Sequence, residues 1–159
     1  MSTIGRWPMQ TLAALAACLA TFVAMEAVAY LMHRHLMHGP LWFLHESHHR
    51  PRRGLLELND VFGAFFAVPS IVLIYLGTHG HPFALAVGVG MTAYGAAYFG
   101  FHDVIVHRRV RTRYVPGHPY LKRIVRAHLV HHRTLTRDGA VSFGFLYARA
   151  PAPYARATA

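Results

Sequence analysis

Histidine is the residue type that sets this chain apart, with 14 histidines among 159 residues. Neutral imidazole is a ligand for zinc, copper, iron and nickel, so clustered histidines predict a metal site. Four short stretches, HRHLMH, HESHH, HDVIVH and HLVHH, hold eleven of the histidines: His33, His35, His38, His45, His48, His49, His102, His107, His128, His131 and His132. The spacing H-x-x-H-H occurs in two of the four stretches, which makes chance an unsatisfactory explanation.

The spacing within each stretch predicts how the imidazoles are presented. On a helix, positions i, i+3 and i+4 share one face, so we expect each H-x-x-H-H triplet to present three imidazoles to one point. The pairs His33/His38 and His102/His107 are five residues apart and would diverge by about 140° on a straight α-helix. These pairs are expected at helix ends, or around a metal reached from two sides, and Gly39-Pro40 supplies a break after the first pair.

The number of clustered histidines predicts more than one metal ion. A structural zinc ion takes four ligands, so about ten histidines suit two ions with roughly five ligands each. The remaining histidines, His79, His81 and His118, are isolated and are interpreted as surface or interfacial side chains. Arginines beside the clusters would also suit a face that binds lipid headgroups, but that alternative predicts scattered histidines and not repeated triplets.

Few acidic residues are available to orient these imidazoles or to offset the charge of a metal, because the chain has only six Asp and Glu residues. Asp103 is adjacent to His102 and four residues before His107, and Glu26 lies on the same helical face as His33. Carboxylates and amides in such positions fix the orientation of ligand imidazoles. The candidates for this role are Glu26, Asn59, Asp60 and Asp103.

The elements that must position the histidines are those of a membrane protein. Hydrophobic residues make up 54% of the chain and charged residues only 14%, against about a quarter in soluble domains. Three apolar stretches, each near or above the length that crosses a bilayer, lie at Thr11–Met32, Val61–Gly77 and Phe83–Phe101. We therefore expect an all-α integral membrane protein with about three transmembrane helices, a single domain over residues 1–150 and a short tail over 151–159.

Two further sequence details refine the three apolar stretches. The pairs Ala86/Gly90 and Ala93/Ala97 would let helices approach closely in lipid. Pro69 is a possible kink in the second stretch. The Ala-Val-Ala run after Glu26 resembles a signal cleavage site, but the preceding apolar run is long and the acid lies at the supposed cut, which favours an uncleaved span.

The cations predict the topology. The net charge is +10, carried almost wholly by arginines that follow the first and third apolar stretches: Arg34, Arg50, Arg52, Arg53, Arg108, Arg109, Arg111, Arg113, Arg123, Arg126, Arg133 and Arg137. The positive-inside rule therefore places both H-x-x-H-H triplets in the cytoplasm. Because the arginines adjoin apolar runs, they do not suggest a soluble nucleic-acid-binding face. The lone Cys18 excludes a cysteine-based metal site and an intramolecular disulfide.

The clusters and the sequence around them resemble a known family. The stretches MEAVAYLMHRHLMHG, LELNDVFG, GMTAYGAAYFGFHDVIVHRR, YLKRIVRAHLVHH and VSFGFLYA are similar to those of the membrane-bound histidine-box di-iron oxygenases, the fatty acid hydroxylase superfamily. Within it the chain resembles the bacterial β-carotene hydroxylases from about Met25 to Ala148. The pattern HDxxVH followed by VSFGFLYA is similar to the 3-hydroxylases.

This resemblance implies a membrane di-iron fold of the four-helix type, with cytoplasmic histidine-bearing helices in a bacterial inner membrane. It also implies two non-haem Fe²⁺ ions, O₂ as co-substrate, and hydroxylation of carotenoid β-ionone rings at C3, from β-carotene through cryptoxanthin to zeaxanthin. The implied ligands are His33, His38, His45, His48, His49, His102, His107, His128, His131 and His132. His35 falls on a spacer position and is not carried over.

The resemblance further implies an external electron donor, because the chain contains no flavin or nicotinamide motif. Ferredoxin or a similar acidic carrier would suit the arginine-rich surface by charge complementarity, although the same arginines also enforce topology and contact anionic lipid. Two other functions compete with this interpretation. A carotenoid ketolase or another lipid hydroxylase would use the same centre, whereas a metal transporter would need polar ligands in mid-membrane, where this sequence offers little beyond hydroxyls and Glu26.

Overall fold

The computed structural model describes residues 6–51, 54 and 56–148, and the regular secondary structure of these residues is helical, with no strand. The all-α prediction is therefore confirmed. The α-helices are α1 (Arg6–Met32), α2 (Trp42–His45), α3 (Asp60–Thr78), α4 (Pro82–Tyr98) and α5 (Pro119–His131). Three segments with other helical hydrogen-bond spacings follow directly on α1, α2 and α4. They are a first π-helical segment (His33–Met37), a 3₁₀ segment (Glu46–His49) and a second π-helical segment (Phe99–Val106). Arg52, Arg53 and the predicted tail over 151–159 lie outside the described residues.

Three helices are long and apolar enough to cross a membrane, as the sequence predicts. They run over Met9–Met37, Asp60–Thr78 and Pro82–Val106, so the π-helical segments form the ends of the first and third spans. Large apolar side chains face outward along them, including Leu12 at 65% exposure and Ile71 at 65%. Outward-facing leucine and isoleucine are stable in lipid and costly in water. The helix α3 continues through Pro69 without ending.

The chain divides into two compact units. The first comprises Met1–Val28 and Asp60–Ala97, and the second comprises Ala29–Asn59 and Tyr98–Ala159. All the clustered histidines fall in the second unit. The assignment of residues 1–150 to a single domain stays a prediction.

Close helix packing holds the first unit together. A Cβ atom on Gly90 would lie 2.5 Å from the carbonyl oxygen of Cys18, so α4 approaches α1 at a distance that only glycine permits. The predicted pair Ala86/Gly90 is buried in this way, whereas Ala93 lies on the exposed side of α4. Between α3 and α4, the Ser70 hydroxyl donates to the Gly88 carbonyl oxygen at 2.9 Å. Small residues thus replace bulky side chains where these helices meet.

The second unit is built around α5, which has one buried face. His118 caps the helix by accepting a hydrogen bond from the Tyr120 amide, and Pro119 follows as the first helical residue, where a missing N–H costs nothing. The buried face continues through Ile124, Ala127, His128 and His131, at helical spacing. Its apolar part packs against Phe101, Val106 and Ala148 to form a small core. This core fixes the end of α5 that carries the second triplet.

Candidate metal centre

Ten histidines of the second unit form two groups of five. In each group, one ring nitrogen of every histidine lies within 4.8 Å of those of the others. Group A consists of His33, His38, His45, His49 and His131, and group B of His48, His102, His107, His128 and His132. These are the ten histidines that the family resemblance implies as ligands, and the structure brings all of them together. His35, His79, His81 and His118 are exposed and belong to neither group.

The two triplets do not point at single sites, so that expectation was wrong. In HESHH, His45 and His49 belong to group A while His48 belongs to group B; in HLVHH the assignment is reversed, with His131 alone in group A. The physical reason is that consecutive residues on an α-helix diverge by about 100°. Adjacent histidines therefore cannot converge, and each triplet instead contributes to both groups.

The five-residue pairs converge through a wider helical turn. The His38 amide donates to the His33 carbonyl oxygen at 3.0 Å, and the His107 amide donates to the His102 carbonyl oxygen at 2.9 Å. A turn closed between residues i and i+5 holds one residue more than an α-helical turn, so residues five apart return to one face. The pairs lie where α1 and α4 end, as predicted, but the π-helical geometry was not foreseen. Such π-helical turns are rare and often occur at functional sites.

Group A is oriented by neutral acceptors. Four of its Nδ1 atoms lie within hydrogen-bond distance of backbone carbonyl oxygens of one segment, residues 134–143: His33 to Phe143 (2.9 Å), His38 to Arg137 (2.9 Å), His49 to Thr134 (2.7 Å) and His131 to Val141 (2.8 Å). The fifth, Nδ1 of His45, lies 2.6 Å from Oδ1 of Asn59. Because a carbonyl oxygen only accepts, each Nδ1 carries the proton and each Nε2 carries a free lone pair.

Two histidines of group B lie beside carboxylates, and one of them, His48, is hydrogen-bonded to its carboxylate. Nδ1 of His48 lies 2.9 Å from Oε2 of Glu57, and Nδ1 of His102 lies 3.4 Å from Oδ1 of Asp103. The guanidinium group of Arg109 joins the two acids, with Nη2 at 3.3 Å from Glu57 and Nε at 3.3 Å from Asp103. This is the carboxylate–histidine arrangement that supports metal ligands in other proteins.

The Nε2 atoms face one another in pairs that fit a shared cation. Across group A, His38 and His131 bring these atoms to 3.1 Å; across group B, His48 and His102 bring them to 3.0 Å. In the group A pair, Nδ1 holds the proton of both His38 and His131, so neither residue has a proton to donate through Nε2. In the group B pair, the same holds for His48. Two lone pairs at this distance repel each other unless a cation lies between their rings. The donor set and its orientation therefore fit metal ions.

Burial keeps these imidazoles neutral. Desolvation is the main cause that lowers the pKa of His45 to about 3, of His49 to about 4 and of His131 to about 2. It also lowers the pKa of His48 and His128 well below the ordinary value, with neighbouring histidines adding to the effect. Neutral imidazole is the form that binds a metal, so no proton has to be displaced from Nε2 at neutral pH.

Aromatic rings close one side of both groups. The Phe145 ring is buried and stacks on His33 of group A, with centroids 5.1 Å apart, and contacts His102 of group B at 5.4 Å. Tyr98 stacks on His102 at 4.4 Å and contacts Phe145 at 4.7 Å. These rings put an apolar surface directly beside the ligand atoms.

Comparison with known proteins agrees with this geometry. The family model for fatty acid hydroxylase matches residues 18–148. The chain belongs to the fatty acid hydroxylase family. The match includes all ten histidines of groups A and B, together with the three candidate membrane spans from residue 18 onward.

Curated relatives within this family carry a narrower name. The chain is 50% identical to the β-carotene hydroxylase of Pantoea ananas over 128 residues, which cover 80% of this chain and 73% of the relative. It is 45% identical to the β-carotene hydroxylase of Paracoccus sp. (strain PC1) over 130 residues, covering 81% and 80%. It is 43% identical to the chloroplastic β-carotene 3-hydroxylase 2 of Arabidopsis thaliana over 114 residues, covering 69% and 38%. No solved structure matches the chain.

Of the four residues predicted to orient the histidines, two lie beside a histidine and two belong to the first unit. Asn59 and Asp103 lie beside His45 and His102. Glu26 accepts a hydrogen bond from the Tyr94 hydroxyl at 2.8 Å, and Asp60 begins α3; both belong to the first unit.

Sequence reasoning missed two parts of the centre. Glu57 is absent from the predicted orienting residues, yet it contacts both His48 and Arg109. Its position nine residues after His48 was the available signal. The four carbonyl acceptors of residues 134–143 leave no signal, because every residue has a carbonyl group and the fold alone decides which one faces a histidine.

Proposed function

We propose that this chain is a membrane β-carotene hydroxylase that inserts one oxygen atom of O₂ at C3 of the β-ionone ring. The observation that carries the proposal is the pair of five-histidine groups, within a chain half identical to a curated β-carotene hydroxylase. The names of the chloroplastic relatives support position C3. Hydroxylation of the ring at one end of β-carotene would give cryptoxanthin, and hydroxylation of the ring at the other end would then give zeaxanthin.

Groups A and B would each hold one ferrous ion through five Nε2 atoms. When bound, the two ions supply the reductive activation of O₂ that an unactivated C–H bond requires. Iron is among the metals that imidazole suits. The imidazoles contribute no negative charge, so Glu57 and Asp103 partly offset the charge of the ions near group B.

The chain's own contribution to selectivity is positioning. C4 of the ring is allylic and has the weaker C–H bond, so reaction at C3 requires that the ring be held with C3 nearest the oxidant. Phe145 and Tyr98 offer an apolar surface against both groups, on which an apolar ring could be held and water excluded. For each turnover, the C–H bond, O₂, two electrons and two protons give an alcohol and one water molecule.

The electrons would come from an acidic carrier such as ferredoxin. The described arginines of the second unit include Arg111, Arg113, Arg126 and Arg133, and their charge is complementary to such a carrier. The same charge supports a cytoplasmic orientation of the histidine groups, in a bacterial inner membrane.

Expression of the chain in a bacterium that makes β-carotene would test the proposal, with pigments separated by chromatography. We expect cryptoxanthin and zeaxanthin with the wild-type chain and only β-carotene with His48→Ala, which removes a group B ligand. Immunoblotting of the membrane fraction would show that both proteins are present in equal amounts.

Two other outcomes would contradict the proposal. Pigments with a keto group at C4 would make the chain a ketolase that uses the same centre. Unchanged β-carotene, with membrane-inserted protein and an abundant ferredoxin and reductase, would exclude this substrate and leave the histidine groups to another lipid.

A further inference from the structure

The two histidine groups differ in the groups that contact the Nδ1 side of their imidazole rings. Group A is held by four backbone carbonyl oxygens and the Asn59 amide, all of them neutral. In group B, His48 is hydrogen-bonded to the Glu57 carboxylate and His102 lies beside the Asp103 carboxylate, and these two acids are only 10% and 11% exposed. The sequence repeats of the two triplets give no hint of this difference.

Arg109 holds the two carboxylates of group B in place. Its guanidinium group is 14% exposed and contacts both carboxylates, Glu57 and Asp103. Its backbone amide also donates to the Asp103 carbonyl oxygen at 2.8 Å, which fixes the segment that carries it. Buried charges of this kind act through a medium of low dielectric constant and are little screened by salt.

Group A has no matching charge among the described contacts of its histidines. The acidic residue near it is Asp138, which influences His38 but is 82% exposed and paired with Arg137. Water and the paired arginine therefore screen its field. The electrostatic environments of the two groups are unequal.

We propose that group B binds its metal ion more tightly than group A, and that Glu57, held by Arg109, is the positioning residue responsible. This inference rests on the proposed function, because it assumes one ion in each group. A carboxylate that accepts the Nδ1 proton makes the imidazole a stronger donor and also lowers the energy of the bound cation. The chain would then load its two ions in order, group B first.

Titration of the metal-free, detergent-solubilised protein with Co²⁺ alone tests this ordering. Competition with a chelator gives the two dissociation constants, and the visible absorption of Co²⁺ gives the number of ions bound. We expect two ions in the wild-type protein, with a clear separation between a tight and a weak step. His107→Ala should abolish the tight step and His38→Ala the weak one, which assigns each step to its group.

Two isosteric variants then change one charge each. Glu57→Gln keeps an acceptor for Nδ1 of His48 but removes the charge, and it should raise the Kd of the tight step by about 10- to 100-fold with the weak step unchanged. Asn59→Asp keeps the acceptor for Nδ1 of His45 and adds a charge behind group A, so it should lower the Kd of the weak step. Far-UV circular dichroism would confirm that both variants keep the wild-type helix content.

The outcomes separate this inference from the proposed function. Two ions that bind with equal affinity, or a Glu57→Gln variant that weakens the other step, would overturn the ordering while leaving a two-ion centre intact. Fewer than two Co²⁺ ions per wild-type chain would contradict the two-ion centre itself. If the Glu57→Gln variant loses its helix content, the Asn59→Asp variant still tests the inference. An unchanged Kd of the weak step in that variant would contradict the electrostatic argument.

Discussion

Nε2 of His33 lies 3.1 Å from Nε2 of His45, although neither nitrogen has a proton to give to the other. Nδ1 of His33 holds its proton against the Phe143 carbonyl oxygen, and Nδ1 of His45 holds its proton against Asn59. The contact is therefore no hydrogen bond between rings. Acceptors at the far side of each ring hold the two lone pairs in an arrangement that suits a metal ion.

The first prediction concerns the stability of the metal-free protein at acid pH. An unfolded histidine binds a proton with a pKa near 6.5, whereas folded His45 does so only near 3. Between these values the unfolded state holds more protons, so stability is full above about pH 7 and falls as the pH is lowered. At pH 5, His45 alone would cost about 2 kcal/mol of the free energy of unfolding.

Thermal melts followed by circular dichroism in detergent would measure this effect, with a chelator present from pH 7.5 to pH 5. The Tm of the metal-free protein should fall across this range, and added metal should raise it at pH 7.5. A Tm that stays constant down to pH 5 would contradict the neutral, buried state of these histidines.

Much of this centre could be predicted from the sequence because ligand chemistry is local. The histidine clusters contain all ten members of the two groups, the resemblance set aside the eleventh, His35, and the apolar stretches predicted the three long helices. Helical spacing also indicated correctly that Ala86 and Gly90 would be buried at a close approach.

What could not be predicted depends on backbone geometry. The assignment of His48 and His131 to opposite groups follows from the angle between consecutive residues and from where α5 ends. The π-helical turns form because the amide of residue i+5, and not that of residue i+4, donates to the carbonyl oxygen of residue i. The sequence does not indicate which of these two amides donates. A Cβ atom on Gly39 would lie 2.1 Å from the His35 carbonyl oxygen. The need for glycine at this position is therefore visible only in the structure.

The second prediction compares two histidines of the same segment. His38 is buried, and its Nε2 lies 3.1 Å from that of His131, whereas His35 is exposed and belongs to neither group. His38→Ala should lose about one metal ion per chain and all detectable hydroxylation, while His35→Ala should match the wild type. Metal analysis by plasma mass spectrometry and pigment chromatography would measure both. An equal loss in His35→Ala would contradict the composition of group A.

The third prediction concerns Ser142, whose backbone adopts φ 63°, in the left-handed region. This conformation lets the carbonyl groups on either side of it, those of Val141 and Phe143, reach His131 and His33. Ser142→Gly should keep the wild-type Tm and metal content. Ser142→Val should cost about 1–3 kcal/mol, because a β-branched residue is strained here. It should also weaken metal binding in group A, measured as the weak step of a Co²⁺ titration. A Val variant that binds both ions normally would show that the carbonyl groups do not depend on this turn.

The fourth prediction tests the close approach of α1 and α4 with a matched pair of substitutions. A Cβ atom on Gly90 would lie 2.5 Å from the Cys18 carbonyl oxygen and 2.8 Å from Cβ of Thr21, whereas one on Gly95 would meet no atom within 4 Å. Both glycines lie on α4, so the same change in backbone entropy applies to each. Gly90→Ala should therefore lower the stability by about 1–3 kcal/mol through overpacking, and Gly95→Ala should not. Tm values of the two variants in the same detergent would measure the difference, and equal values would mean that α1 can move away from α4 at little cost.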